Sequence, residues 1–552
     1  MVDGTVFSVH VVGKLYRNTI IAMKHNTIPI YEWVGWIIVL LISLISIRYL
    51  FVPGFLPTHD GEYHLIRFYE FGRMLDAGNF FPRWAPGLNS GYGVPLFTFF
   101  YPLPNYIGSL FHLFGWSLAD SFRWTMAAGY IIAIIASYYW LKRLYGTIPA
   151  VAGSVIGAFT PYWFVDIFVR GSIGEVLAIA FVFIALSCVV YEKKTLLAFA
   201  IAGIIVSHNI IAMIFLPIII VYAWMTGRSL ALAVVMGIIL SSYFWVPALV
   251  ERRYVVGLNT VNYQDHFPEL AQLLIPSWGT GLSGPGFALD EMSYQIGFIP
   301  MLILLVSPVL FWRKERFALL FIGAAGVALF LMLEISIPVW EKVPLLPNLQ
   351  YPWRLLSVGF VVTPFLAAAM FSRIRWPFIA ISVALCAGLV SFSYTKPVLY
   401  APRPDAYYLS RREFTDGTSS LGNGFSTAWM AWQPARPAKR MEIVSGEGSV
   451  TMKEEGMTKF VGEVDSSSGG KLRIHVAYYP GWNVVVDGKS LDVTPDEKGM
   501  ISVPFSPGTH LITTNFFDTP LRVAVNLLSL VCLVGLAAWG IISLGKSKNN
   551  KQ

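Results

Sequence analysis

Charge is scarce in this chain. Acidic and basic residues make up 13% of it, well below the roughly 25% of an ordinary soluble domain. With 55% hydrophobic residues, the chain cannot be a water-soluble globule throughout, so much of its surface has to face lipid. Cysteine is scarce too. Cys188, Cys386 and Cys532 all fall within apolar runs, so no disulfide framework is implied. Internal repeats and low-complexity tracts are missing, and only Lys546 to Gln552 reads as disordered. A cleavable signal pattern is also missing. The first long apolar run, about Trp33 to Phe51, exceeds a signal core and has no small-residue cleavage site, so it reads as a signal anchor. The net charge of +8 does not point to nucleic acid. The basic residues sit in small clusters at the ends of apolar runs, which is how topology signals are arranged.

Those clusters predict the topology. Lys14, Arg17 and Lys24 precede the first span and place its start in the cytoplasm. Lys142-Arg143, Lys193-Lys194, Arg228, Arg313-Lys314 with Arg316, Arg373 with Arg375, and Lys546 with Lys548 and Lys551 follow. If each is cytoplasmic, twelve spans pair off, with both termini inside: 33–52, 121–141, 147–165, 176–192, 195–207, 209–227, 229–250, 298–312, 317–337, 355–372, 376–394 and 522–545. The apolar stretch 95–115 is excluded as a span because counting it would move every later basic cluster outside. Its Pro95, Pro102 and Pro104 and its aromatics suit a segment lying at the outer interface. Residues 53–120 are therefore expected to form one external loop, within a helical domain 1–395.

The region 396–520 reads differently. Leu472, Ile474 and Val476 alternate with Arg473 and His475. Trp482, Val484, Val486, Ile501, Val503 and Phe505 keep the same period, with turns at Gly469-Gly470, Pro480-Gly481, Asp487-Gly488 and Pro507-Gly508. That predicts an antiparallel β-sandwich outside the membrane, followed by a last span and tail at 521–552.

On the external face polar groups gather. His59-Asp60-Gly61-Glu62-Tyr63-His64, then Arg67, follow the first span directly; two acids and two histidines beside lipid are costly unless they have a task or sit in water. Further along come Asp166, Arg170 and Glu175, the tight turn Ser207-His208-Asn209, the acidic loop 251–297, and Tyr351-Pro352-Trp353-Arg354. An N-terminal span, an acidic first external loop, an embedded aromatic-proline segment and a second acidic loop resemble the GT-C superfamily of multi-span glycosyltransferases. The strings Pro82-Arg83-Trp84 to Gly91-Tyr92-Gly93, Pro95-Leu96-Phe97, Ser207-His208-Asn209, Tyr351-Pro352-Trp353-Arg354 and Tyr479-Pro480-Gly481-Trp482 more narrowly resemble prokaryotic membrane proteins catalogued as 6-pyruvoyl-tetrahydropterin synthase-related.

Sugar transfer from a lipid phosphate needs a base at the acceptor hydroxyl and cations at the departing phosphate. Asp60 is the candidate base, and the GT-C resemblance implies the same position. Asp166 and Glu175 are further catalytic candidates. Arg67, Arg170 and Arg354 are candidates for the phosphate, since arginine grips its oxygens in pairs. His59, Glu62, His64, His208 and Asn209 complete the expected substrate contacts. The donor is then a polyprenyl-phosphate sugar and the acceptor a glycan, lipid or protein. No cofactor is required, and a divalent ion (Mg or Mn) at His59, Asp60 and His64 stays open, because the spacing matches no tight ligand template. Plainer roles stand beside these. Asp60 can cap a helix over 61–77, Glu62 can pair with Arg67, Glu175 can cap the next span, and Arg354 can anchor at the interface. The chain can also be read as a transporter or flippase of lipid-linked saccharides, or as a scaffold that displays the sheet domain.

Overall fold

The computed structural model describes residues 30–257, 261–282, 284–286, 292–311, 315–397, 400 and 403–549. Lys14, Arg17, Lys24, Asp290, Glu291, Arg313, Lys314 and Lys551 lie outside the described residues.

The apolar runs become helices whose ends are written in the sequence. Leu118–Tyr145 is an example. Ser117 caps its start by accepting from the Asp120 amide, Lys142 and Arg143 face the negative end of its dipole, and Gly146 ends it at φ 81. Among the described residues, six helices are long and apolar enough to cross a membrane: Leu118–Tyr145, Ile173–Val190, Asn209–Thr226, Pro352–Phe371, Pro377–Thr395 and Pro520–Ile542. Three bent pairs raise that to nine: Thr147–Ala158 with Pro161–Arg170, Arg228–Leu240 with Ser242–Tyr254, and Arg316–Met332 with Glu334–Lys342. Ile30–Ser46, Lys194–Ser207 and Phe298–Phe311 are apolar but shorter. Helices stand at all twelve predicted positions, yet twelve crossings are not shown, because three are short and three break and turn by 50° to 93°. Leu389, Val309, Val531 and Ile541 are exposed on these helices, as lipid-facing residues should be. The stretch 95–115 does not make one spanning helix. It divides into Leu96–Phe99 and Pro102–Leu113, broken where Phe100 and Tyr101 are extended ahead of Pro102.

Nine strands follow: β1 Met441–Ser445, β2 Gly448–Glu455, β3 Lys459–Ser466, β4 Gly470–Ala477, β5 Trp482–Val486, β6 Lys489–Leu491, β7 Thr494–Pro495, β8 Met500–Phe505 and β9 Gly508–Phe516. They form two antiparallel sheets, ordered β1-β4-β8-β7 and β2-β3-β9-β5-β6. The period-two residues Leu472, Ile474, Val484, Ile501, Val503 and Ile512 are buried.

Two contacts fasten the sheets to the helices. Trp84 lies against Trp482 edge-to-face at 5.5 Å and against Phe516 at 5.5 Å. Beneath them a buried ion pair joins three parts of the chain. Arg522 donates to Glu251 Oε1 at 2.9 Å and Oε2 at 2.7 Å, and Tyr479 donates to Oε2 at 2.6 Å. Between helices and sheets, residues 403–440 run as a strap over the helix Gly61–Asp76. The Ser90 amide donates to Asp416 O at 2.8 Å and the Val256 amide to Ser426 O at 2.9 Å.

Removing one partner of a buried ion pair strands the other charge. Arg522→Met should therefore destabilise the protein by about 3–5 kcal/mol in denaturant unfolding of the detergent-solubilised chain. Arg522→Met with Glu251→Gln should recover much of that. Equal stability of Arg522→Met and wild type would show that the pair does not fasten the sheet domain.

Candidate functional site at the break in the fourth hydrophobic segment

The helix Pro161–Phe164 loosens into a π-helical turn over Val165–Arg170, a deviation frequent at functional sites. Gly171 ends it in the left-handed region at φ 67, and a Cβ there would meet Thr58 Oγ1 at 2.2 Å. Only glycine gives both the reversal and the close approach. The carbonyls freed by the turn are taken up from the side. The His59 amide donates to Val169 O at 2.9 Å and the Asp60 amide to Arg170 O at 2.8 Å. The opening of the external loop is thus clipped to the end of this segment.

Below the clip lies a buried charge cluster. Glu175 Oε1 accepts from Arg170 Nη2 at 2.7 Å and from Arg354 Nε at 2.8 Å. Arg170 also donates to Asp166 and, at 3.0 Å, to the Tyr162 hydroxyl. Trp353 lies under the Arg170 guanidinium at 4.9 Å. Two carboxylates face two guanidiniums, so the cluster is neutral as a whole. Asp166 Oδ2 and Glu175 Oε2 are nonetheless buried without a hydrogen-bond partner among the described residues. Arg354 Nη1 donates to Leu349 O at 2.7 Å; its Nη2 makes no hydrogen bond there. His208 caps the helix Asn209–Thr226, its Nδ1 accepting from the Ile211 amide at 3.2 Å. That fixes the proton on Nε2 in the neutral ring, and Nε2 lies 3.9 Å from Glu175 Oε1. Asn209 is exposed at the head of the same helix.

Above the clip, Asp60 begins the helix Gly61–Asp76 without a side-chain cap bond. Thr58 Oγ1 accepts from the Gly61 amide instead, at 3.1 Å. The Asp60 carboxylate has no hydrogen bond or ion pair among the described residues. Arg67, six per cent exposed, donates to Ser419 Oγ at 2.9 Å and lies 3.8 Å over the Phe100 ring. Burial lowers its guanidinium to about 10, opposed by the Tyr101 hydroxyl and the Asp60 carboxylate. His64 is enclosed by Phe100, Phe122, Phe68 and Tyr101.

Several expectations are corrected here. Glu62 does not pair with Arg67; it bonds Arg403 at 3.0 Å, because Arg67 is drawn inward to Ser419. His59, Asp60 and His64 do not gather round an ion. His59 Nε2 is bonded to Thr280 O at 2.7 Å, and His64 is buried among aromatics. Among the described residues no three histidine, cysteine, aspartate or glutamate side chains form a metal site. Arg170 is held by Asp166, Glu175 and Tyr162 through both terminal nitrogens, whereas among the described residues Arg354 keeps its Nη2 free. The sequence reading missed Ser419, Trp432 and the rest of the strap. Their Ser-, Thr- and Gly-rich run looks like any linker, and no periodicity ties it to Arg67.

Two recesses flank the cluster. An apolar groove of about 1000 Å³ opens between the helices and reaches Asn209, Leu349 and Leu355. A polar cleft of about 690 Å³ lies between Thr58, His59, Glu62 and Tyr63 and the strap.

No family model matches this chain. No curated protein matches it either, and the narrower resemblance to the 6-pyruvoyl-tetrahydropterin synthase-related set is not shown. Among solved structures, the chain is similar to an oligosaccharyltransferase of Archaeoglobus fulgidus in complex with Zn and sulfate. That match has 13% identity and a TM-score of 0.41, over 68% of this chain and 54% of that one. It is also similar to the arabinofuranosyltransferase AftD from Mycobacteria, at 16% identity and TM-score 0.37, over 67% of this chain and 27% of that one. A third is ArnT from Cupriavidus metallidurans bound to undecaprenyl phosphate, at 15% identity and TM-score 0.39, over 68% of each chain. This chain spans about half the length of the first of these. At such TM-scores the likeness is loose, and the function has to be argued from the chain's own residues.

The environment of His64 makes one prediction. Burial, then Arg67 and His208, push its imidazole well below the usual 6.5. The unfolded chain then binds the extra proton, so the contribution of neutral His64 is present above pH 6.5 and is lost as pH falls below it. His64→Gln should remove this term. Between pH 7 and 5 the melting temperature of wild type should fall more than that of His64→Gln. Parallel falls would show that His64 is not held neutral.

Proposed function

We propose that the chain is a multi-span membrane glycosyltransferase. It moves a sugar from a polyprenyl-phosphate donor to an acceptor hydroxyl at the outer face, with inversion. The reading keeps the predicted orientation: both termini cytoplasmic, the sheet domain outside. The observation that carries it is the placement of the charge cluster between an apolar groove and a polar cleft. Such a reaction has to join a donor dissolved in lipid to an acceptor dissolved in water.

The groove takes the polyprenyl chain, being lined almost wholly by aliphatic and aromatic side chains such as Ile214, Leu216, Phe244 and Leu331. At its polar end the phosphate meets the start of the helix Asn209–Thr226, His208 Nε2–H and the free Nη2 of Arg354. Each is a donor or positive pole suited to an anion. Glu175 and Asp166 hold the two arginines in place, so the donors are oriented before the substrate arrives. Asp60 is the base. Its carboxylate is unoccupied and removes the proton of the acceptor hydroxyl while that oxygen attacks the anomeric carbon. The bond from that carbon to the phosphate oxygen breaks, and polyprenyl phosphate leaves. In this reading Asp166 and Glu175 position the arginines and do not move a proton.

Two variants test the two halves. Asp60→Asn is nearly isosteric and should keep the fold and polyprenyl-phosphate binding. Transfer measured with polyprenyl-phosphate sugars should fall by about 10²-fold or more. Full transfer activity in a folded Asp60→Asn protein would remove Asp60 from the mechanism. Gly323 lines the groove with open space where a Cβ would stand. Gly323→Trp should therefore weaken retention of undecaprenyl phosphate by about tenfold, or about 1.4 kcal/mol, while melting stays unchanged. Undiminished retention would place the lipid elsewhere.

A further inference from the structure

We propose that the polar cleft between the helix Gly61–Asp76 and the strap binds a neutral oligosaccharide, so that the acceptor is a glycan chain and not a peptide or a lipid. The proposal rests on the transferase reading for the word acceptor, but the binding site stands on its own observations.

The first observation is aromatic. Trp432 is 45% exposed at the cleft wall, and its ring has no aromatic partner among the described residues. Its indole N–H is directed to Asp416 O at 3.4 Å, which fixes the ring edge and leaves a face open. Tyr63, 38% exposed, lies across the same cleft. An open aromatic face is what the apolar C–H side of a pyranose stacks on. These two rings serve no core, since large aromatics elsewhere in this chain are mostly buried or face lipid.

The second observation is polar. Thr418 Oγ1 donates to Asn423 Oδ1 at 2.9 Å, which orients the Asn423 amide. Its Nδ2 makes no hydrogen bond among the described residues. Ser420 adds a hydroxyl that both donates and accepts, and Thr418 Oγ1, its proton given to Asn423, adds an acceptor. The third observation is that the charges there are mostly spent on one another. Arg411 pairs with Glu413 at 2.9 Å, Glu62 with Arg403 at 3.0 Å, and Asp416 with Arg436 at 2.9 Å. Among the described residues Arg412, at the exposed rim, has no ion pair. Paired charges give little attraction to a phosphate or a charged peptide. Hydroxyls, a free amide and two ring faces suit a ligand that is itself all hydroxyls and C–H faces. At about 690 Å³ the cleft is within the range of small-ligand sites.

The cleft is lined by the chain neighbours of the base and not by Asp60 itself. Thr58 and His59 on one side of Asp60, and Glu62 and Tyr63 on the other, line it. Arg67, buried beneath, holds the wall residue Ser419 in a left-handed conformation at φ 53, which is uncommon for serine. A sugar in the cleft thus lies along the segment that carries Asp60, with the strap held over it.

The test uses the full chain in nanodiscs, titrated with maltohexaose, cellohexaose and mannohexaose. It is followed by saturation-transfer NMR and by tryptophan fluorescence, with undecaprenyl phosphate binding measured on the same samples. At least one hexasaccharide should bind saturably. Trp432→Ala should weaken it about tenfold or more, and Trp432→Phe, which keeps a ring face, should stay within about threefold. Both variants should melt like wild type and bind undecaprenyl phosphate equally. Failure of all three sugars to bind folded wild type overturns the proposal, as does full sugar binding by Trp432→Ala or displacement of bound sugar by an uncharged peptide. The outcome for the transferase reading is separate. Sugar binding without any transfer from polyprenyl-phosphate sugars leaves the cleft and removes the transferase. Transfer to a peptide or lipid that Trp432→Ala does not affect leaves the transferase and removes the glycan acceptor.

Discussion

Glu175 Oε1, gripped by Arg170 at 2.7 Å and Arg354 at 2.8 Å, is the interaction on which the site depends. A carboxylate at that depth is tenable only with both guanidiniums in place, since a buried charge costs several kcal/mol unless paired and hydrogen-bonded. The pairing fixes where the segment 161–175 must turn. It holds the π-helical turn, the turn frees the carbonyls of Val169 and Arg170, and those carbonyls receive the amides of His59 and Asp60. On the other side, Arg354 reaches the Leu349 carbonyl and so shapes the polar end of the apolar groove.

In the proposed reading the cluster stands as a wall between two recesses. One side is a groove walled by aliphatic and aromatic residues, and the other is a cleft of hydroxyls, amides and paired charges. A low-dielectric wall carrying oriented cations strengthens their effect on an anion that arrives beside it. This division is why the acids of the cluster are assigned to positioning and the unpaired carboxylate of Asp60 to the proton.

The strap and sheet domain pack together against the helical part. They are held by the Glu251–Arg522–Tyr479 contact, by Trp84 against Trp482 and Phe516, and by Arg67 to Ser419. Each joins residues hundreds of positions apart. The Arg67 contact also explains why the simple local pairing with Glu62 fails. Both residues lie on one helix and both reach the strap, but Arg67 is buried against Phe100 and Ser419 while the more exposed Glu62 meets Arg403.

The sequence by itself determined the elements whose causes are local. Apolar runs ended by glycine, proline and paired bases became helices, and period-two residues such as Leu472 and Ile474 became buried strand faces. It also picked out Asp60, Asp166, Glu175, Arg170, His208 and Arg354 as polar residues out of place beside lipid. Tertiary structure alone decided what each touches. The breaks in three helix pairs, two of them followed by Pro161 and Pro338, interrupt apolar runs that hydropathy reads as continuous, so the number of crossings was not legible. That Asp166, Glu175, Arg170 and Arg354 neutralise one another, and that Asp60 is left without a partner, depends on a π-helical turn and on Gly171 meeting Thr58. The role of the strap depends on Arg67 choosing a serine 352 residues away. Charge pairing over such separations is set by the folded path of the chain, and no spacing in the sequence encodes it.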